Sequence, residues 1–213
     1  MKQCGDTVAC TITAHHLALT VDDWAGKPLN FCKPVAKFPS DRKALRDVIK
    51  EGECFSLLSW SREAPTHALQ YTRARIHAGH PRFFLGSDSA PHPFSAKMPS
   101  AVSHGSTAVA AQHSCAAGVY TSAVLLPLCA TLLESFGALD KLEGYVSSNG
   151  RKFYGDEVKG GKSVTLRRVQ GKEEGVVPAE YVHKAHVSKA DTEKGKISVI
   201  PFMAGQQLGW VIA

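Results

Sequence analysis

Two short apolar runs separated by one amphipathic stretch constrain this chain more than any other feature. The segment TVACTITAHHLALT (7–20) opens with β-branched residues in an apolar run, the mark of a buried parallel strand that leads into a loop. SDRKALRDVIKEG (40–52) then offers Ser40 as an N-cap, apolar positions at Leu45, Val48 and Ile49, and a terminal glycine, which together predict a helix. The run Arg82–Leu85, arrested by Gly86, supplies a second strand. Strand, loop, helix, strand is the order of a βαβ unit, so the chain is predicted to be α/β with a parallel sheet.

Helical signals return in VYTSAVLLPLCATLLESFGAL (119–139), which Pro127 either kinks or divides. LDKLEGYVSSNGRKFYG (139–155) reads as a further short helix ending in an Asn-Gly turn, and the glycine-punctuated, β-prone stretch beyond it predicts small strands packed on the main body. One segment fits none of this. Residues 53–79 have no clean period and separate a helix end from the next strand by far more than the usual connection of about 2–6 residues, so they are either an insertion or an artefact.

Composition removes several classes. A hydrophobic content of 44% and a charged content of 21% are ordinary globular values, which excludes disorder throughout. No apolar run approaches the roughly 18 residues that span a bilayer, and MKQCGDTVAC lacks the apolar core of a signal peptide, so a soluble cytoplasmic protein with no membrane partner is expected. The six cysteines contain no CxxC pair, which suggests neither a zinc knuckle nor a disulfide framework. The net charge of +6 is spread over scattered Lys and Arg without interleaved aromatics, which points to a solvated basic surface and no nucleic-acid partner.

The chemistry concentrates in RFFLGSDSAPHP (82–93), where Asp88 and His92 follow a strand and flank a proline-stiffened turn. In barrels of parallel strands, catalytic groups sit at the C-terminal strand ends, and an Asp placed there can hold a metal and exchange a proton with water. On spacing alone, a strand-ending Asp is more often a helix cap or turn former than a catalytic group, and both readings stand.

The whole string is more specific. FFLGSDSAPH resembles the signature around the last barrel strand of dihydroorotases, in the single-function form of enteric bacteria and fungi. TITAHHL (11–17), FCKPVAK (31–37) with DRKALRDVI (41–49), CAAGVYTS (115–122), NGRKFYG (149–155) and IPFMAGQQLGW (200–210) are similar, in order, to that family's C-terminal half. The resemblance implies the C-terminal part of a (β/α)8 TIM-barrel amidohydrolase, an incomplete barrel, at 1–158, and a C-terminal extension packing on it at 159–213.

It also implies a zinc-dependent cyclic amide hydrolase of pyrimidine biosynthesis, which reversibly closes N-carbamoyl-L-aspartate to L-dihydroorotate at a two-zinc site. The complete enzyme is expected to be a homodimer acting on this small-molecule substrate. Asp88 would be both metal ligand and proton shuttle. His92 would bind the substrate α-carboxylate, and main-chain groups at Lys33 and at Ala117 or Gly118 would hold the ring. The remaining metal ligands, histidines and a carboxylated lysine, would lie before residue 1, and one Asp cannot hold two zinc ions, so the 213 residues alone are expected to be a truncated, inactive form.

His15 and His16 match a strand that carries no metal ligand in that family and are expected to be structural, as are His183 and His186 in the tail. Deleting 53–79 restores the short connection of the family, which makes a retained intron a candidate explanation; stretch 95–113 also departs from the pattern. Other readings are a hydantoinase- or allantoinase-type amidohydrolase, or a non-catalytic assembly module that kept the fold.

Overall fold

The computed structural model describes residues 7–51, 80–98, 115–156, 162–184 and 196–213. The suspected insertion at 53–79, most of the stretch 95–113, and Cys4, Cys54 and His186 lie outside the described residues. Strands β1 (Cys10–Ile12) and β2 (Phe83–Leu85) pair in parallel, with Cys10 opposite Phe83 and Ile12 opposite Leu85. The ladder continues at both ends, where the Cys10 amide donates to the Arg82 carbonyl at 2.8 Å and the Gly86 amide to the Ile12 carbonyl at 3.2 Å. Glycine is required at 86 because a Cβ there would stand 2.7 Å from the Thr11 Cβ.

The strand order is as expected, but β1 is less buried than its apolar sequence suggests. Ile12 is buried, whereas Cys10 and Thr11 are exposed. Burial on both faces takes covering elements on each side, and among the described residues β2 is the one strand paired with β1.

Where a loop was expected, β1 turns directly into α1 (Ala14–Ala18), whose N-cap Thr13 accepts the His16 amide on its Oγ1. Helix α2 (Val21–Trp24) opens similarly, with the Thr20 amide and hydroxyl both donating to Asp23 Oδ2 at 2.7 and 2.9 Å. Helix α3 (Pro39–Glu51) buries Val48 and Ile49 as its periodicity predicts. Its start differs from the sequence reading. Pro39 opens the helix, where a missing amide costs nothing, and Asp41 accepts the Phe38 amide at 3.0 Å, so Ser40 lies inside the first turn and is not the cap.

Two arginines on the same face of α3 reach back to α1. Arg42 donates to the Ala18 carbonyl at 2.7 Å and Arg46 donates twice to the Leu17 carbonyl, at 3.0 and 2.7 Å. These carbonyls end a helix and have no acceptor role within it, so the arginines cap α1 while α3 packs on it.

Helix α4 (Phe94–Lys97) is a single turn. A 3-10 turn at Ser122–Val124 precedes α5 (Leu125–Ser135), in which Pro127 is the third residue. An amide at that position has no helical acceptor, so the proline starts α5 without kinking it. Leu128, Cys129, Leu132 and Leu133 of α5 join Ile12, Leu17, Val48, Ile49 and Tyr145 in the core. Each such leucine contributes about 1.5–3 kcal/mol by leaving water.

The Asn149–Gly150 pair does not form the expected turn. It begins α6 (Asn149–Tyr154), where the Asn149 side chain donates to the Phe83 carbonyl at 3.4 Å and Gly150 lets the helix lie on Phe84. The left-handed turn falls instead at Gly155, with φ of 69°.

In the tail, β3 (Leu166–Arg168) pairs antiparallel with β6 (Trp210–Ile212), and β4 (Tyr181–Lys184) with β5 (Lys196–Val199). Glu134 of α5 fastens this layer to the body, because it accepts from Arg168 and, at 2.9 Å, from the Trp210 indole. A second attachment is the Phe202 amide donating to the Tyr120 carbonyl at 2.8 Å. The small strands therefore pack on the body as their glycine punctuation suggests.

Candidate functional site

The loop that leaves β2 carries Asp88 in a left-handed conformation, φ 40°, one that asparagine and aspartate tolerate better than most side chains. Its carboxylate is half exposed. The loop is pinned from the far side by the segment 117–122. Ser89 Oγ accepts the amides of Thr121 and Ser122 at 2.9 and 3.0 Å, and the Ala90 amide donates to the Val119 carbonyl at 2.9 Å. His92 then donates from Nε2 to the Ala117 carbonyl at 2.9 Å.

Close approach explains Gly118. Its φ of 137° disfavours a side chain, and a Cβ would meet the Ala90 Cβ at 2.5 Å and His92 Nε2 at 3.1 Å. Its amide donates to the Phe31 carbonyl at 2.9 Å, which brings the segment carrying Lys33 to the same place. The 88–92 loop, Ala117–Gly118 and the segment from Phe31, separated widely in sequence, are thus joined by main-chain bonds at Ala90 and Gly118 and by the side chains of Ser89 and His92.

His15 sits below this cluster and is 0% exposed, with neither ring nitrogen hydrogen-bonded. Burial, reinforced by His16, pushes its pKa down to about 3, so the ring is neutral and its 3.9 Å approach to Asp88 Oδ2 is a contact rather than an ion pair. His16 is engaged at both ring nitrogens. Its ring contacts Thr13 Oγ1 at 2.6 Å and the Pro34 carbonyl at 2.8 Å, and Cys32 donates to the same carbonyl at 3.4 Å. His183 is exposed on β4.

Lys97 is the residue that sequence reasoning missed. The side chain is only 5% exposed, and its ammonium donates to the carbonyls of Phe31, Ala116 and Gly118 at 2.8, 3.0 and 2.9 Å. Burial pushes its pKa down, with the nearby Cys115 and Cys32 acting the other way. Three acceptors match three N–H bonds, which an ammonium has and a neutral amine lacks. A lone lysine after Phe-Ser-Ala gives no signal of such an environment.

Among the described residues, one group of three potential metal donors lies together, His15, His16 and Cys32, within 4.8 Å of one another. It is a poor zinc site. Both His16 nitrogens are engaged, and burial pushes the Cys32 thiol up, away from the thiolate that metals bind. Asp88 fits a metal better as one accessible carboxylate ligand at the rim.

Loops gathered at the C-terminal end of a parallel strand pair define the chain as part of the α/β class that builds its sites there. No protein-family model matches the chain. It is 51% identical to the dihydroorotase of Mycosarcoma maydis over 100% of its own length and 52% of that protein, and 37% identical to that of Saccharomyces cerevisiae over 96% and 43%. A crystal structure of Saccharomyces cerevisiae dihydroorotase in complex with 5-fluoroorotic acid matches with a TM-score of 0.63 and 35% identity, over 98% of this chain and 44% of that one. The Campylobacter jejuni dihydroorotase structure matches at 0.60 with 28% identity, over 95% and 44%. Along its whole length the chain is similar to dihydroorotases, in a way that fits a C-terminal portion of them. It spans about half the length of the curated relatives it matches. Among the described residues, no helix is long and apolar enough to cross a membrane.

Proposed function

We propose that this chain supplies the last two strands, their loops and the C-terminal extension of a (β/α)8 dihydroorotase, which interconverts N-carbamoyl-L-aspartate and L-dihydroorotate. The observation that carries this reading is the convergence of Asp88, His92 and the main chain around Lys33 and Ala117–Gly118 on one rim, in the family's motif order. The exposed flank of β1 suits a strand awaiting neighbours. The ligand named for the yeast neighbour, 5-fluoroorotic acid, is a planar ring bearing a carboxylate, and this rim offers an imidazole and peptide groups for both parts.

In this reading zinc supplies a Lewis acid for the ring carbonyl and acidifies a water, and Asp88 is the ligand this chain contributes. Asp88 takes the proton of the attacking water and delivers it to the departing ring nitrogen in hydrolysis; in cyclisation the transfer reverses. His92 binds the substrate carboxylate, its orientation fixed by the bond to Ala117. Main-chain groups of Lys33 and of Ala117 or Gly118 hold the ring amide edge, which orients the scissile bond without relying on side-chain identity. The other metal ligands come from the half of the family's length that these residues do not span, and the complete enzyme is a dimer of cytoplasmic type.

The test is zinc-dependent conversion of dihydroorotate by the 213-residue chain and by a chimera that places it behind the N-terminal half of the Mycosarcoma maydis protein, with and without 53–79. The chain alone should be inactive. The chimera lacking 53–79 should turn over, and Asp88→Asn should reduce its kcat by about 10³-fold or more. A folded, zinc-loaded chimera with no activity in either form defeats the reading.

A further inference from the structure

We infer that Lys97 is a positioning residue: its buried ammonium sets the geometry of the peptide groups that grip the substrate ring. This rests on the dihydroorotase reading above and extends it to a side chain that touches no substrate.

The argument is one of connectivity. The proposed ring-binding groups lie on two separate segments, Lys33 on one and Ala117–Gly118 on the other. Neither segment is a regular strand or helix at these positions, so neither is held by a backbone ladder. The Lys97 ammonium bonds both at once, through the Phe31 carbonyl two residues before Lys33 and through the Ala116 and Gly118 carbonyls that bracket Ala117. Two further bonds close the arrangement. The Gly118 amide donates to the Phe31 carbonyl at 2.9 Å, and the Ala116 amide to the Ala96 carbonyl beside Lys97, also at 2.9 Å.

A charged group buried this deeply is costly unless its protons are all matched, and here three carbonyls do so in place of a carboxylate. A carboxylate partner would hold one segment. Three carbonyls from two segments hold a distance between segments. With His92 also bonded to the Ala117 carbonyl, the orientation of the Ala116–Gly118 peptides is fixed from both sides.

Losing the ammonium therefore loosens ring binding before it alters the proton transfer at Asp88. Misplacement of binding groups by about 1 Å is worth as much as 10²-fold in kcat/KM. In the active chimera, Lys97→Met should raise the KM for dihydroorotate by about tenfold or more, with kcat falling less. Lys97→Gln, whose amide returns two N–H donors, should fall between Met and Lys.

A merely structural lysine behaves differently. Its loss lowers the folded fraction, and hence the apparent kcat, at unchanged KM. The variants are therefore compared at equal zinc content and after thermal melts. KM within about twofold of the unsubstituted chimera in a folded variant overturns the inference, and so does failure of both variants to fold, which would assign Lys97 to the core. An unsubstituted chimera without activity defeats the dihydroorotase reading instead, so the two failures are distinguishable.

Discussion

Gly118→Ala tests the close approach at the centre of the site. The new Cβ would lie 2.5 Å from the Ala90 Cβ and 3.2 Å from the Ala90 carbonyl. Neither atom is the end of a flexible side chain, so the 88–92 loop must withdraw by about 1 Å to reach ordinary contact. That movement pulls against the Ala90 amide bond to Val119 and the two amide bonds to Ser89 Oγ. Overpacking costs about 1–3 kcal/mol and the left-handed backbone adds a comparable strain, so the chimera should lose about 3–5 kcal/mol in urea unfolding. Ala90→Gly removes the struck Cβ. The double variant should recover about 1–2 kcal/mol of the loss while the backbone strain stays, a coupling read from the double-mutant cycle. A Gly118→Ala protein within about 0.5 kcal/mol of the parent, or an Ala90→Gly change that restores nothing, would refute the reasoning.

Two further perturbations address the core and pH. Tyr145→Phe removes one of two donors to the Ile12 carbonyl, the buried hydroxyl at 2.6 Å, and leaves the Gly86 amide, so unfolding should become easier by about 0.5–1.5 kcal/mol; no change in the melt would show that the Gly86 amide alone satisfies the carbonyl. His15, with its pKa depressed to about 3 from 6.5, binds a proton in the unfolded chain before it does so in the folded one. The metal-free protein thus keeps its full stability above about pH 6.5 and loses on the order of 1.4 kcal/mol per unit as pH falls from there toward 3. His15→Gln should lose about 2 kcal/mol less than the parent between about pH 7 and pH 5, and equal slopes for the two proteins would sink this assignment.

The parts of the fold that were legible in the sequence are those written locally. Val48 and Ile49 mark the buried face of α3 by spacing alone, and the β-branched run before His15 with Phe83–Leu85 marks the parallel pair. The errors arose where neighbouring residues compete for one task. Asp41 rather than Ser40 serves the start of α3, and Asn149–Gly150 packs on β2 because Phe84 lies across them, a contact no local pattern encodes. The rim around Asp88 and His92 was legible through its motif, which fixed the order of the segments but not their mutual contacts. Lys97 was not, because its three acceptors come from residues 31, 116 and 118, and nothing in a lone lysine announces partners so distant.

That distance bears on the order of folding. Helices α1, α3 and α5 close through neighbours a few residues away, whereas the Phe31 carbonyl waits for a lysine 66 positions later in the chain. Loop-closure entropy must be met before such a contact can form, so the rim is assembled after the helices have condensed. A partly folded population would show native helicity by circular dichroism while its rim is still open, and protection of the Gly118 amide from hydrogen exchange is the stricter reporter that folding has run to completion.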